Sequence, residues 1–276
     1  MAAPRPLGVA AAALLAAVAL PAPARAVVGG TDVPREDYPA VVTLGRACTA
    51  TLVAPDRLLT AGHCASHVDP GRTRVRIGDA ATPYVATRVA RHPRFRYLLP
   101  TIPAEPYRDV ALVGLDRPVP DVAPLGVSRR ALRAGATGVL VGYGTADPRR
   151  PDRFGRLRRA DVVVRDDATC RAELERAGEE QGAQYRRRVM LCTQDPDGHQ
   201  PYASGCNGDS GAPLLVRTRA GRTLVAGVDS WGVACGADAG DPEVFARTSA
   251  EAAFILAPDP GWTTERLREP WDAGPV

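Results

Sequence analysis

The sequence predicts an all-β fold, an antiparallel barrel or sandwich. Two observations carry this. Short apolar runs alternate with turn residues from Tyr38 onward, and no long segment of 3.6-residue period interrupts them. Closely spaced strands without intervening helices pair best with their sequence neighbours.

The first run of expected strands covers 41–44, 50–53, 57–60, 74–77, 85–91 and 110–115. Breakers such as Pro55-Asp56, Pro70-Gly71 and Gly78-Asp79 separate them. Residues 118–134 hold three prolines and Arg129-Arg130 and read as a linker. The second run covers 137–142, 157–164, 189–192, 212–217, 223–231 and 244–247. Between its strands, the charged segment 166–188 has room for a short helix. Thr248-Ser249-Ala250-Glu251 fits a capping box, and Phe254-Ile255 gives the helix after it an apolar face. Pro258 and Pro260 stop that helix, leaving 258–276 as a tail.

Composition narrows the function classes. The chain has 276 residues, 45% of them apolar, which is ample for a large core. Its formal charge of +4 falls to +2 once Arg5 and Arg25 are removed with the leader described next. That balance gives no reason to expect nucleic acid or an anionic membrane as partner. Every basic side chain other than histidine is arginine, a bias that a GC-rich bacterial genome would explain.

Residues 1–26 read as a signal peptide: Arg5, an uncharged apolar stretch over 7–20, then Ala24-Arg25-Ala26 as a small-x-small cleavage site. A retained anchor is the alternative, but the stretch falls short of the ~20 residues a spanning helix needs. The expected product is secreted, without stable membrane association. Six cysteines in such a product suggest disulfides over metal, because there is no Cys-x-x-Cys and no histidine pair at ligand spacing.

Chemistry concentrates at Gly205-Cys206-Asn207-Gly208-Asp209-Ser210-Gly211. A serine hydroxyl is a poor nucleophile until a base takes its proton. Leu59-Thr60-Ala61-Gly62-His63-Cys64 offers a histidine, and Tyr107-Arg108-Asp109-Val110-Ala111-Leu112 a carboxylate to orient it. His67, His92 and His199 lie in polar or proline-containing surroundings and are expected at the surface. The chain order His, Asp, Ser differs from the Ser, Asp, His of α/β-hydrolases, and Gly-x-Ser-x-Gly is absent.

These motifs, with Val27-Val28-Gly29-Gly30 and Ser230-Trp231-Gly232, resemble the trypsin/chymotrypsin-like serine peptidases over nearly all of 27–255. The resemblance implies two six-stranded antiparallel β-barrels with the active site between them and a short C-terminal helix. It divides the chain into a leader (1–26), a peptidase domain (27–257, the first barrel ending at 127) and a tail (258–276). It implies a monomer acting on protein or peptide substrates, with no cofactor. No acidic cluster between Arg74 and Arg91 suggests calcium, and no metal is expected.

Residue by residue, the resemblance makes Ser210 the nucleophile, His63 its base and Asp109 the orienting carboxylate. Backbone N–H groups of Gly208 and Ser210 become the oxyanion donors. It pairs Cys48 with Cys64, Cys170 with Cys192 and Cys206 with Cys235. In the family a new ammonium at the position of Val27 folds inward onto the residue matching Asp209. Ala26 is not the basic residue that usually precedes that cut, so signal peptidase itself is expected to create Val27. Cleavage after Ala24 would leave a dipeptide stub.

Ser230, Trp231 and Gly232 match the segment that pairs with substrate backbone. Ser204 falls at the base of the primary specificity pocket, a serine as in pockets for large apolar side chains. Glu243 falls on the pocket wall where glycine is common. There it meets a basic side chain from a different direction, partly fills the pocket, or is a solvated glutamate on a shifted loop. Ala212 replaces a second glycine and raises the prospect of crowding behind the nucleophile. The 93–107 loop is expected to border the cleft. The rival reading of the whole chain is a catalytically silent binding protein on the same fold.

Overall fold

The computed structural model describes residues 27–45, 47–98, 105–145, 155–200, 202–233, 235 and 241–269. The expected leader, the end of the tail and part of the 93–107 loop lie outside these.

Two barrels form. In the first, Val41–Leu44, Cys48–Ala54, Arg57–Thr60, Ala111–Leu115, Tyr84–Arg91 and Arg74–Val75 follow one another as antiparallel neighbours. In the second, Thr137–Gly142, Arg158–Val164, Met190–Gln194, Glu243–Arg247, Thr223–Gly232 and Pro213–Arg217 do the same, and the last pairs back onto the first. The second ring is therefore closed and the first nearly so. Alternation sets which face is inside: Ala160, Val162 and Val164 are buried while Asp161 between them is exposed. All twelve expected strands are present, with ends shifted by a residue or two.

Helices are few. Asp167–Ala177 starts under the Asp166 carboxylate, which accepts the N–H groups of Ala168 and Thr169. Glu179–Gln184 follows. The C-terminal helix is Thr248–Ile255, but the expected capping box is not made. Thr248 Oγ1 donates instead to the carbonyls of Ser128 and Val225, at 3.0 and 3.1 Å. Glu251 turns toward Arg108 and His92. Both would-be capping side chains are buried, and tertiary partners outcompete the helix end for them.

His92 corrects the surface expectation. It is 7% exposed, meets Phe254 edge-to-face at 5.1 Å and brings Nε2 to 3.1 Å from Glu251. His67 and His199 are exposed, as expected.

The ends of the chain cross over. Val27 packs in the core of the second barrel, and Thr31–Asp32 pairs with Arg159 and Arg158 there. After the C-terminal helix the chain returns to the first barrel, where Thr263 bridges Val89. Trp262 lies under the guanidinium groups of Arg57 and Arg88, 5.3 and 4.7 Å from its ring centre. Arg57 also bonds the carbonyls of Ile255 and Ala257, and Arg91 meets Glu269 at 2.7 Å. What reads as a featureless tail is, over 258–269, a strap across the first barrel.

Three disulfides join Cys48 to Cys64, Cys170 to Cys192 and Cys206 to Cys235. Among the described residues no helix is long and apolar enough to cross a membrane.

Candidate active site

The cleft between the barrels gathers His63, Asp109, Ser210, Ser230, Trp231, Gly232 and Glu243. Strands Arg57–Thr60 and Ala111–Leu115 pair with Thr60 opposite Ala111. That register sets the turn after Thr60 beside the residues before Ala111. There the His63 backbone N–H donates to Asp109 Oδ1 at 2.8 Å, and His63 Nδ1 lies 2.8 Å from Oδ2. Asp109 is 1% exposed and accepts a third bond, from Ser230 Oγ to Oδ2 at 2.6 Å. Gly62 permits the approach, since a Cβ there would lie 2.7 Å from the Phe95 ring and 3.0 Å from Asp109 Oδ1.

A buried carboxylate facing Nδ1 assigns the ring proton to that nitrogen and leaves Nε2 as the acceptor. Burial alone pushes the His63 pKa down. The charge of Asp109 and its hydrogen bond more than reverse this, so the pKa is raised. Such an imidazole can take a proton from a hydroxyl as that hydroxyl attacks.

Asp109 sits on a strained support. Arg108 adopts φ +51, a left-handed conformation unusual for a side-chain-bearing residue. Its Nη1 holds both carboxylate oxygens of Glu251, at 3.0 and 2.8 Å. This anchor ties the Asp109 loop to the C-terminal helix.

Ser210 comes from the second barrel and is half-buried. Its carbonyl accepts the Thr49 N–H at 2.8 Å and lies 3.6 Å from Cys64 Sγ, beside His63. Thr49 Oγ1 donates to the Gly208 carbonyl at 2.9 Å. The Cys48–Cys64 bridge therefore joins the residues flanking these contacts. Closing its 16-residue loop stabilises by roughly 3 kcal/mol in the chain-entropy view. Gly208 has φ +96, and Gly211 has φ +87 where a Cβ would collide with Thr49 O and Thr60 Oγ1. Only glycine suits both positions. Ala212 is fully buried in the second core, and its methyl faces Gly142, so it is accommodated without crowding.

Asp209 is wholly buried and accepts the N–H groups of Gly144 and Cys206, at 2.8 and 3.1 Å. Glycines at 142 and 144 make room for it. Burial raises its pKa to about 7, further than these bonds and Arg158 lower it. Val27 is 0% exposed, and its neighbour Val28 bridges Ser204.

Beside Ser210 lies a cavity of about 210 Å³ lined by Gly205, Cys206, Ser230, Trp231, Gly232 and Glu243, among others. That is below the ~300–1,000 Å³ of drug-sized pockets and suits one side chain. Glu243 is 4% exposed, which excludes the solvated alternative. Ser204 Oγ donates to Glu243 Oε2 at 2.8 Å, so the two join rather than compete. Asp229 lines the same cavity and escaped the sequence reading. Its signal was a charge inside the otherwise apolar strand Thr223–Gly232.

Among the described residues, Cys48, His63 and Cys64 bring three ligand-type atoms together, but both sulfurs are committed to the disulfide.

Comparison with known proteins agrees with this architecture. A family model described as Trypsin matches residues 27–255. A trypsin of Saccharopolyspora erythraea is 30% identical over 240 residues, covering 81% of this chain and 94% of its own length. Hypodermin-B of Hypoderma lineatum is 28% identical over 244 residues, 83% of this chain and 86% of its own. Serine proteinase stubble of Drosophila melanogaster is 29% identical over 227 residues, 76% of this chain but only 27% of that larger protein.

Proposed function

Because the chain belongs to the trypsin family, we propose that it is a secreted serine endopeptidase working through an acyl-enzyme. The observation that carries this reading is the His63–Asp109 pair, with Nδ1 2.8 Å from a carboxylate that is 1% exposed. The Ser210 backbone is fastened beside that pair through Thr49.

In this reading Ser210 Oγ attacks the scissile carbonyl while His63 Nε2 takes its proton. His63 then hands the proton to the leaving amine, and water repeats the sequence to release the acyl group. Asp109 keeps the tautomer and stabilises the imidazolium. The N–H groups of Gly208 and Ser210 receive the negative oxygen, and the positive φ of Gly208 supports that role. Ser230, Trp231 and Gly232 end their strand along the cavity beside Ser210, with Gly232 exposed, and pair with substrate backbone as an added strand.

Two further assignments belong to the same reading. The buried Val27 and the incompletely compensated Asp209 fit an activation pair, in which a free ammonium at Val27 would meet the carboxylate. The acidic pocket around Ser204 and Glu243 favours basic side chains before the cleaved bond, with large apolar ones tolerated. Three disulfides and the signal-like leader fit secretion.

Active-site titration with a fluorophosphonate tests the reading, on the chain beginning at Val27 and on its Ser210→Ala variant. Stoichiometric labelling lost in Ser210→Ala is the expected outcome. An unlabelled chain with Val27 verified as its first residue would identify a silent binding protein instead.

A further inference from the structure

The specificity pocket holds two acids where one would suffice. Asp229 and Glu243 are 3% and 4% exposed and lie on neighbouring strands, with their carboxyls within hydrogen-bonding reach of each other. The register of those strands slips between Asp229 and Trp231, a bulge at the pocket itself. A Cβ placed on Gly205 would lie 2.8 Å from Asp229 Oδ2 and 3.1 Å from Glu243 Oε1, so the two carboxyls share one spot. Glu243 has donors in Ser204 Oγ and the Gly205 N–H. Asp229 Oδ1 is buried with no partner. The charged groups around the pair are themselves acids: Asp209 from the nucleophile loop, Asp109 from the first barrel and Glu105 across the cleft. Arg158 faces Asp209.

Two carboxyl groups in hydrogen-bond contact, ringed by acids, cannot both be ionised; one keeps a proton and donates it to the other. We propose that Asp229 and Glu243 form a proton-sharing pair at the base of the specificity pocket, and that a guanidinium or amidinium entering it expels the shared proton. The empty pair carries one negative charge. An incoming cation offers a donor to Asp229, which lines the cavity, and turns repulsion between the carboxylates into joint attraction. The acid then ionises, and its proton passes to the buffer. A neutral side chain offers neither effect. Selection of basic over neutral side chains therefore rises with pH, a property of this chain's pair rather than of its triad. The inference rests on the cleft being a peptidase site, but the pair can be read without catalysis.

Benzamidinium, a flat amidinium cation, is the probe. Its binding to the Ser210→Ala chain beginning at Val27 is measured by calorimetry near pH 7, in buffers of unlike ionisation enthalpy. Up to one proton released per cation is expected. Asp229→Asn should abolish the release and weaken binding about ten- to a hundredfold, the scale of a lost bond to a charged group. Binding without proton release, the same release from Asp229→Asn, or no binding would each overturn the proposal. In the unaltered chain, kcat/KM for matched arginine and leucine peptides gives a second readout, because their ratio cancels the titration of His63. That ratio should climb with pH and be flat in Asp229→Asn. A flat ratio in the unaltered chain would overturn the proposal. Loss of fluorophosphonate labelling would sink the peptidase reading alone, since the calorimetry still reports on the pair.

Discussion

Ser230 donates its hydroxyl proton to Asp109 Oδ2 at 2.6 Å, and so spans the two barrels with one short bond. It shares that oxygen with His63 Nδ1. The carboxylate is thereby fixed from both sides of the cleft. Ser230→Ala leaves Asp109 with His63 as its only side-chain partner among these contacts. The rate of fluorophosphonate acylation should fall by about ten- to a hundredfold, the scale of a hydrogen bond to a charged group. An unchanged rate would mean that Ser230 serves substrate binding alone.

The pH profile follows from His63. Its pKa is raised above the ordinary 6.5, and as the proposed base it must be neutral to act. Acylation should fall as pH drops through a value above 6.5. Asp109→Asn removes the charge that raises this pKa and frees the wrong tautomer. Its loss should be about four orders of magnitude, with the acid limb moved to lower pH. Acylation rates across the pH range measure both effects.

Asp209 makes processing visible as stability. Its pKa in the fold is about 7 against an ordinary 3.8. A raised folded pKa means that the folded state binds the proton more tightly. The contribution is therefore present below about pH 4 and lost as pH rises toward 7. A free Val27 ammonium would offset that loss. A chain beginning at Arg25 should fall behind one beginning at Val27 by a few kcal/mol across this window, measured by denaturant unfolding. Parallel curves would refute the pairing of Val27 with Asp209.

His92 works in the opposite sense. Its Nδ1 accepts the Arg94 N–H at 3.0 Å, which leaves Nε2 to carry the proton toward Glu251. Burial, then the charges of Arg108 and Arg94, depress its pKa to about 4. A depressed folded pKa gives stability that is present above 6.5 and lost as pH falls toward 4. His92→Gln should flatten the acid limb of unfolding by on the order of 2 kcal/mol. Unfolding free energies at pH 7 and pH 4.5 give the comparison.

The strands were legible because alternation and turn residues are local signals, and the barrel count came from motif resemblance. The pairing of His63 with Asp109 was legible for a related reason: a short motif surrounds each of them. What escaped was tertiary. Asp229 reads as an oddity until Glu243 arrives from the next strand. His92 reads as a surface residue until Phe254 and Glu251 close over it from 160 residues further along the chain. The capping box failed likewise, because Thr248 and Glu251 have buried partners far away in sequence. Local pattern fixes periodicity, whereas the partner of a buried polar group depends on the assembled fold.

The crossed ends make the two halves hostages of each other. The first described residues fill the second barrel, and the last described ones are laced over the first. A single nick in the connection between barrels, self-inflicted or not, would leave two fragments each still gripping the other. The crossed ends predict that neither half is a separable module and that a cleft cut between its barrels stays assembled.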